Sequence, residues 1–280
     1  MNVPEILAKL AATALGSEVI FPTTAEMALK IQRVLDDPDC SVDQLARLVQ
    51  ADPLLATRVV AVANSVIYNR SGQNVASVKN ALTRLGFKIL RILAASVVVR
   101  QMENMADTVE HRRMARQLWE RTAHVAALAN VIARRVTHQD PDSAFFAGIV
   151  HEVGSFFLIA RAESYPGLLE GGDGSLAAWS GSSGAAVNRV VLQRLGVPAD
   201  VLQVIEGLRD GHLAIPPTSL GDTLLLACRL APVASPLARL VGVASGADAP
   251  LDAGLDAATL NGLLQESKEE VGSLIGALSA

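Results

Sequence analysis

Asp52-Pro53-Leu54-Leu55-Ala56-Thr57-Arg58-Val59-Val60-Ala61-Val62-Ala63-Asn64-Ser65 carries its own helix start signal. Asp52 can accept hydrogen bonds from the orphan amides of the first turn, and Pro53 brings the φ that the first helical position requires. The spacing predicts a helix running to about Ser65, and Asn64 is expected to satisfy backbone groups at its end. The same grammar repeats outward in both directions. Ser41-Val42-Asp43-Gln44 is a capping-box pattern that opens a helix through about Val49. Before it, Phe21-Pro22 opens a run in which Met27, Ile31, Val34 and Leu35 share one helical face, and Asp36-Asp37-Pro38-Asp39 ends that run. Ser77 begins a further helix, Gly86 supplies the left-handed residue that stops it, and Phe87–Met102 continues as another.

The second half reads in the same way. A long helix is expected from about His111 to Val136, carrying Trp119. After Asp140-Pro141 comes a helix over Phe145–Ala160 that contains His151. The stretches Gly171–Ser175 and Ser180–Gly184 are loop-prone and bracket Trp179. Helices follow at about Ala185–Leu195, Pro198–Leu208 and Leu220–Leu230, and Gly242–Gly254 reads as a linker. The last stretch places Leu260, Leu263, Leu264, Val271, Leu274, Ile275 and Leu278 on one face. Such a helix either packs back on the domain, the more ordinary outcome, or pairs with a second copy as a homodimer. Half of the 280 residues are apolar and only 4% are aromatic. Aliphatic residues at helical spacing, with no strand-like alternation, point to an all-α fold.

The longest apolar runs are broken by charge, as at Arg91, and none is expected to reach the ~18 residues of a membrane span. Met1-Asn2-Val3-Pro4-Glu5 lacks a basic n-region, and Cys40 and Cys228 lie far apart. The expectation is a cytoplasmic protein with reduced thiols. Net charge is −4 but unevenly spread: from Pro53 to Met102 there is no acid, while Arg58, Arg70, Lys79, Arg84, Lys88, Arg91 and Arg100 are present. This block either attracts an anionic partner or faces the acidic C-terminal half of the same chain. The two helices hinged at Gly86 invite a helix-turn-helix reading. Phe87, Ile89, Leu90, Ile92 and Leu93, however, make the second a core helix with a basic edge, and nucleic acid is the weaker alternative.

His151-Glu152 joins an imidazole to a carboxylate, the donor pair that borderline divalent metals take up. Metal catalysis needs further ligands from other helices, and the chain holds only five histidines. No GxxxxGK[ST] phosphate loop is present, since Gly171–Ser175 lacks the following Lys.

Pro22 after a hydrophobe, Asp36-Asp37-Pro38, Ser41, Leu45-Ala46, Asp52-Pro53-Leu54, Ala63-Asn64-Ser65, Tyr68, Ser77, Ala81 and Leu85-Gly86 together resemble the HD-related output domain (HDOD) family of bacterial signalling proteins. The resemblance covers roughly Leu15 to Leu230. It implies an all-helical fold with an N-terminal helical lobe and a second lobe related to HD-type metal phosphohydrolases. It also implies where metal ligands would stand. In Leu118-Trp119-Glu120-Arg121-Thr122, Arg121 occupies the place where a His is usual. His124 lies about 4.5 Å further along the helix axis. His151-Glu152 replaces a His-Asp pair, the downstream sites near Ser180 and at Leu208-Arg209 carry no His or Asp, and Cys228 stands where an Asp is common.

The expected organisation is an N-terminal helical extension over 1–14, an HDOD-like domain over 15–230 with lobes of about 15–105 and 106–230, and a linker with an amphipathic helix over 231–280. The expected function is non-catalytic regulation through signalling proteins or a small anionic ligand, with a degenerate metal site, no metal and no cofactor. Arg121, His124, His151 and Glu152 are the binding candidates. Asp52, Pro53, Asn64, Ser65 and Gly86 form the structural motif, and Lys79, Arg84, Lys88 and Arg91 form a basic face. The alternatives are an HD-type phosphohydrolase with a reduced ligand set and a nucleic-acid binder using residues 53–102.

Overall fold

The computed structural model describes residues 2–15, 26–106, 108–208, 213–242, 262 and 264–279. The first residues of the run expected to begin at Phe21-Pro22, and the linker expected at Gly242–Gly254 beyond Gly242, lie outside them. Among the described residues every regular element is helical. The first lobe holds α2 (Glu26–Leu35), α3 (Val42–Gln50), α4 (Pro53–Ala63) and α5 (Val78–Met102). The second holds α6 (Val109–Ile132), α7 (Pro141–Val150), α8 (Val153–Arg161), α9 (Ser182–Arg194), α10 (Ala199–Gly207) and α11 (Leu220–Leu230). A preceding helix, α1 (Val3–Leu15), packs on α9 in the second lobe rather than on its sequence neighbours. One buried apolar cluster runs through both lobes.

The start signals act as the side chains dictate. Ser41 Oγ accepts the Gln44 N–H, Asp52 Oδ1 accepts those of Leu54 and Leu55, and Ser77 Oγ accepts that of Asn80. Gly86 adopts φ +76°, ψ 172°, a conformation that breaks α5 and that a side chain would strain. Beyond it Ile89, Leu90, Ile92 and Leu93 are buried, so this half of α5 is a core helix. The role of Asn64 differs from expectation. Ser65 serves the helix end, donating to Val62 O at 2.7 Å. Asn64 instead holds the following loop, its amide pairing both ways with the Val75 backbone at 2.8 Å.

The basic face is engaged within the chain. Lys79 pairs with Asp43, Arg91 with Asp36 and Lys88 with Asp140. Arg84 donates to the carbonyls of Ala63 and Gln73. Two of these acids belong to the N-terminal segment, because α5 packs on α2 and α3; the expected match with the C-terminal half holds for Asp140 and, further along the chain, for Arg134 and Arg135 against Glu270. Deeper in the junction the Trp119 ring meets two guanidinium groups, Arg58 at 5.7 Å and Arg100 at 5.3 Å. Arg58 is 1% exposed, and burial pulls its pKa down to about 10.

The expected helix over Phe145–Ala160 is two helices, α7 and α8, which break at His151-Glu152. By length and composition residues 141–164 are apolar enough to cross a membrane, contrary to the expectation that no run would be. Here 89% of that stretch's most apolar window is buried inside the fold. α6 and α7 lie antiparallel: Asn130 donates to Pro141 O, while Ala126 meets Gly148 further along. A Cβ on Gly148 would lie 2.4 Å from Ala126 Cα. The terminal helix α13 (Lys268–Ser279), which follows the short α12 (Ala238–Val241), packs back on α4 and α6. Leu274 and Leu278 are buried there, and Glu270 pairs with Arg134 and Arg135.

Two substitutions check this packing. Gly148→Val should cost on the order of 1–3 kcal/mol or more by forcing α6 and α7 apart. Asn64→Ala, which leaves Val75 unpaired, should cost about 1–3 kcal/mol. Urea unfolding measures both, and an unchanged midpoint for either would refute the contact assigned to it.

Candidate functional site

The antiparallel register of α6 and α7 continues past Gly148 and brings Arg121 and His151 to one cavity. Its volume is about 280 Å³, and its polar lining includes Arg121, His151, Glu152, Ser155, Asn188 and Cys228, with Trp179 on its wall. Of the four residues expected to converge, three do. His124 does not line the cavity: its Nδ1 sits 2.9 Å from the Glu120 carbonyl oxygen of its own helix.

Arg121 acts as a clamp. Nη1 donates to Val233 O at 2.7 Å and Nη2 to Cys228 O at 3.0 Å, so the guanidinium caps the carbonyl end of α11. Its Nε is buried without a partner. His151 ends α7 with Nδ1 2.7 Å from Gly148 O. A carbonyl only accepts, so Nδ1 carries the proton and Nε2 keeps its lone pair. That Nε2 is buried and unpaired. Burial holds the imidazole pKa below its ordinary value; the charge of Glu152 opposes this and that of Arg121 adds to it. His151 is therefore neutral at neutral pH.

Glu152 lies at the N-terminus of α8, where its Oε2 accepts the Ser155 hydroxyl at 2.6 Å. The amide of Gly154 donates to Asn188 Oδ1 at 2.9 Å, and a Cβ on Gly154 would lie 2.7 Å from that oxygen. Burial pushes the Cys228 thiol up to about 12, so it is protonated. Sequence reasoning missed Ser155 and Asn188. Ser155 stands one turn after Glu152 and was legible as its hydrogen-bond donor, whereas Asn188 is 34 residues away and had no local signal.

These residues do not fit a catalytic divalent cation. A neutral imidazole supported through Nδ1 is a good ligand, and Glu152 stands beside it. Among the described residues no further carboxylate or imidazole joins this pair, and Arg121 adds positive charge. Among the described residues no group of three or more His, Cys, Asp or Glu side chains gathers in metal-binding fashion. Catalytic zinc needs about three protein ligands and an open position.

An all-helical domain with a polar cavity where α7 gives way to α8 is the class that this geometry defines. The HDOD domain model matches residues 21–205, and the chain belongs to that family. Three solved structures are similar to it. One is a candidate metal-dependent phosphohydrolase from Shewanella amazonensis, 22% identical, with a TM-score of 0.66 over 99% of both chains. Another is an HDOD domain protein of unknown function from Geobacter sulfurreducens, 19% identical, with a TM-score of 0.58 over 98% of this chain and 97% of that one. The third is a candidate signal transduction protein from Marinobacter aquaeolei, 21% identical, with a TM-score of 0.58 over 93% of this chain and 60% of that one. At these identities the likeness shows the fold alone. No curated protein matches the chain.

The depressed pKa of His151 has a measurable consequence. As pH falls below 6.5, the ordinary value, the unfolded chain takes up a proton that the folded chain refuses. The folded state is thus at full strength above that pH and weakens below it. Between about pH 7.5 and about pH 5.5 the melting temperature should fall less in His151→Gln than in the parent. Parallel curves would assign the acid sensitivity to other groups.

Proposed function

We propose that this HDOD chain is a bacterial, cytoplasmic regulatory module without catalytic activity, acting in signal transduction through contact with a protein partner. The observation that carries the reading is the Arg121 clamp. A guanidinium bound to two carbonyls at the end of α11 stands in the cavity wall that a hydrolytic metal would need, and it makes the centre a joint between α6 and α11. A small anion is the weaker of the two occupants at this cavity. Both terminal nitrogens of Arg121 are engaged, and the Glu152 carboxylate lines the same space. The pairing of Lys79, Lys88 and Arg91 with acids of the chain supports the lower rank given to nucleic acid. The second reading, an HD-type phosphohydrolase with a reduced ligand set, draws on the free Nε2 lone pair of His151.

Elemental analysis of the purified chain, paired with turnover of bis(p-nitrophenyl) phosphate in added Mn²⁺ or Zn²⁺, separates the two. The expected result is far less than one equivalent of metal and no turnover above buffer. A stoichiometric metal, with turnover abolished by His151→Ala, would establish the hydrolase instead.

A further inference from the structure

A second polar cleft lies away from the His151 cavity, between the loop joining α4 to α5 and the far ends of α6 and α7. One part, of about 400 Å³, is lined by Tyr68, Arg70, Asn130, Arg134 and Asp142. An adjoining part, of about 620 Å³, shares Arg70 and Arg134 and adds Asn64, Asn69 and Glu270. Its walls come from the first lobe, the second lobe and the terminal helix. Volumes of this size are those of small-molecule sites.

Two buried groups in it lack partners. Asn130 is 1% exposed and its Nδ2 donates to Pro141 O at 3.2 Å, which fixes the amide orientation and leaves Oδ1 an acceptor with nothing to accept. Arg134 Nε is likewise buried and unpaired, although its Nη2 meets Glu270. A buried polar group without a partner costs about 1–3 kcal/mol, so both ask for a ligand. Arg70 is exposed and has no ion pair among the described residues. Glu270 sets a carboxylate against Arg134 and, at 3.0 Å, against Arg135 Nη2, so an oxyanion here shares Arg134 with Glu270 and depends on Arg70 for an unpaired charge. At the opposite end stand two acceptors, Asn130 Oδ1 and the Asp142 carboxyl, the latter bonded by the Tyr68 hydroxyl at 3.0 Å. Acid at that end excludes a polyanion and suits a hydroxyl.

We propose that this cleft binds a small hydroxylated oxyanion, its phosphate or carboxylate head between Arg70 and Arg134 and a hydroxyl on Asn130 Oδ1. The bound molecule ties the α4–α5 loop to the α6–α7 pair and so couples the two lobes. This goes beyond the regulatory reading and stands whether or not the His151 centre hydrolyses anything, because its test measures binding.

Calorimetry and thermal shift on the full chain, with glycerol 3-phosphate, glycerate and glycerol as probes, test it. At least one acid should bind saturably at millimolar concentration or below and raise the melting temperature, and glycerol should do neither. The stronger acid identifies the head group as phosphate or carboxylate. Arg70→Gln, at an exposed residue whose loss should leave folding intact, should weaken binding about tenfold or more, the worth of one charge-assisted pair. Lys9→Gln on α1 should bind as the parent does. Failure of both acids to saturate, equal binding by glycerol, or unchanged affinity in Arg70→Gln would overturn the proposal.

Discussion

The contact between Gly148 and Ala126 governs the rest of the molecule. Two helix backbones approach there so closely that not even a methyl group fits between them. Such an approach admits one register, and it fixes three rungs at once: Asn130 beside Pro141, Ala126 beside Gly148, and Arg121 across the cavity from His151. The small residues Ala126, Ala127 and Ala129 on α6 make it sterically available. The same glycine supplies the carbonyl that accepts the His151 proton. Packing and site chemistry thus share one residue.

Around that register the cavity is lined by groups that serve hydrogen bonds of the fold. A fork of N–H donors suits carbonyl oxygens at a helix end, which are otherwise orphaned. Arg121 meets that need for α11, Asn188 meets the corresponding need for an amide of α8, and Ser155 orders Glu152. Each bond that stabilises the second lobe removes a lone pair or adds a positive charge where a cation would sit. Structural economy and metal affinity oppose each other in this cavity.

What the sequence disclosed, it disclosed through local chemistry. Asp52-Pro53, Ser41, Ser77 and Gly86 act on backbone groups within a few residues of themselves, so their effects can be read without knowing the fold. The break at His151-Glu152 was hidden, since residues 145–160 are apolar but for His151, Glu152 and Ser155, and the cap of α8 comes from Asn188. The role of Arg121 was equally out of reach, with acceptors 107 and 112 residues away. The candidates Arg121, His151 and Glu152 were legible as types of donor and do share a cavity. That His124 turns away depends on its rotamer, which spacing does not set. The pairing of the basic face followed from α5 lying across α2, α3 and the start of α7, a tertiary fact.

The placement of the two tryptophans carries an optical consequence. Trp119 is flanked by guanidinium groups from α4 and α5 while itself belonging to α6, so its indole sits astride the lobe boundary. Trp179 sits in the wall of the His151 cavity. The chain therefore holds one indole at the lobe boundary and one at the cavity, and ultraviolet emission reads the surroundings of both without any added dye.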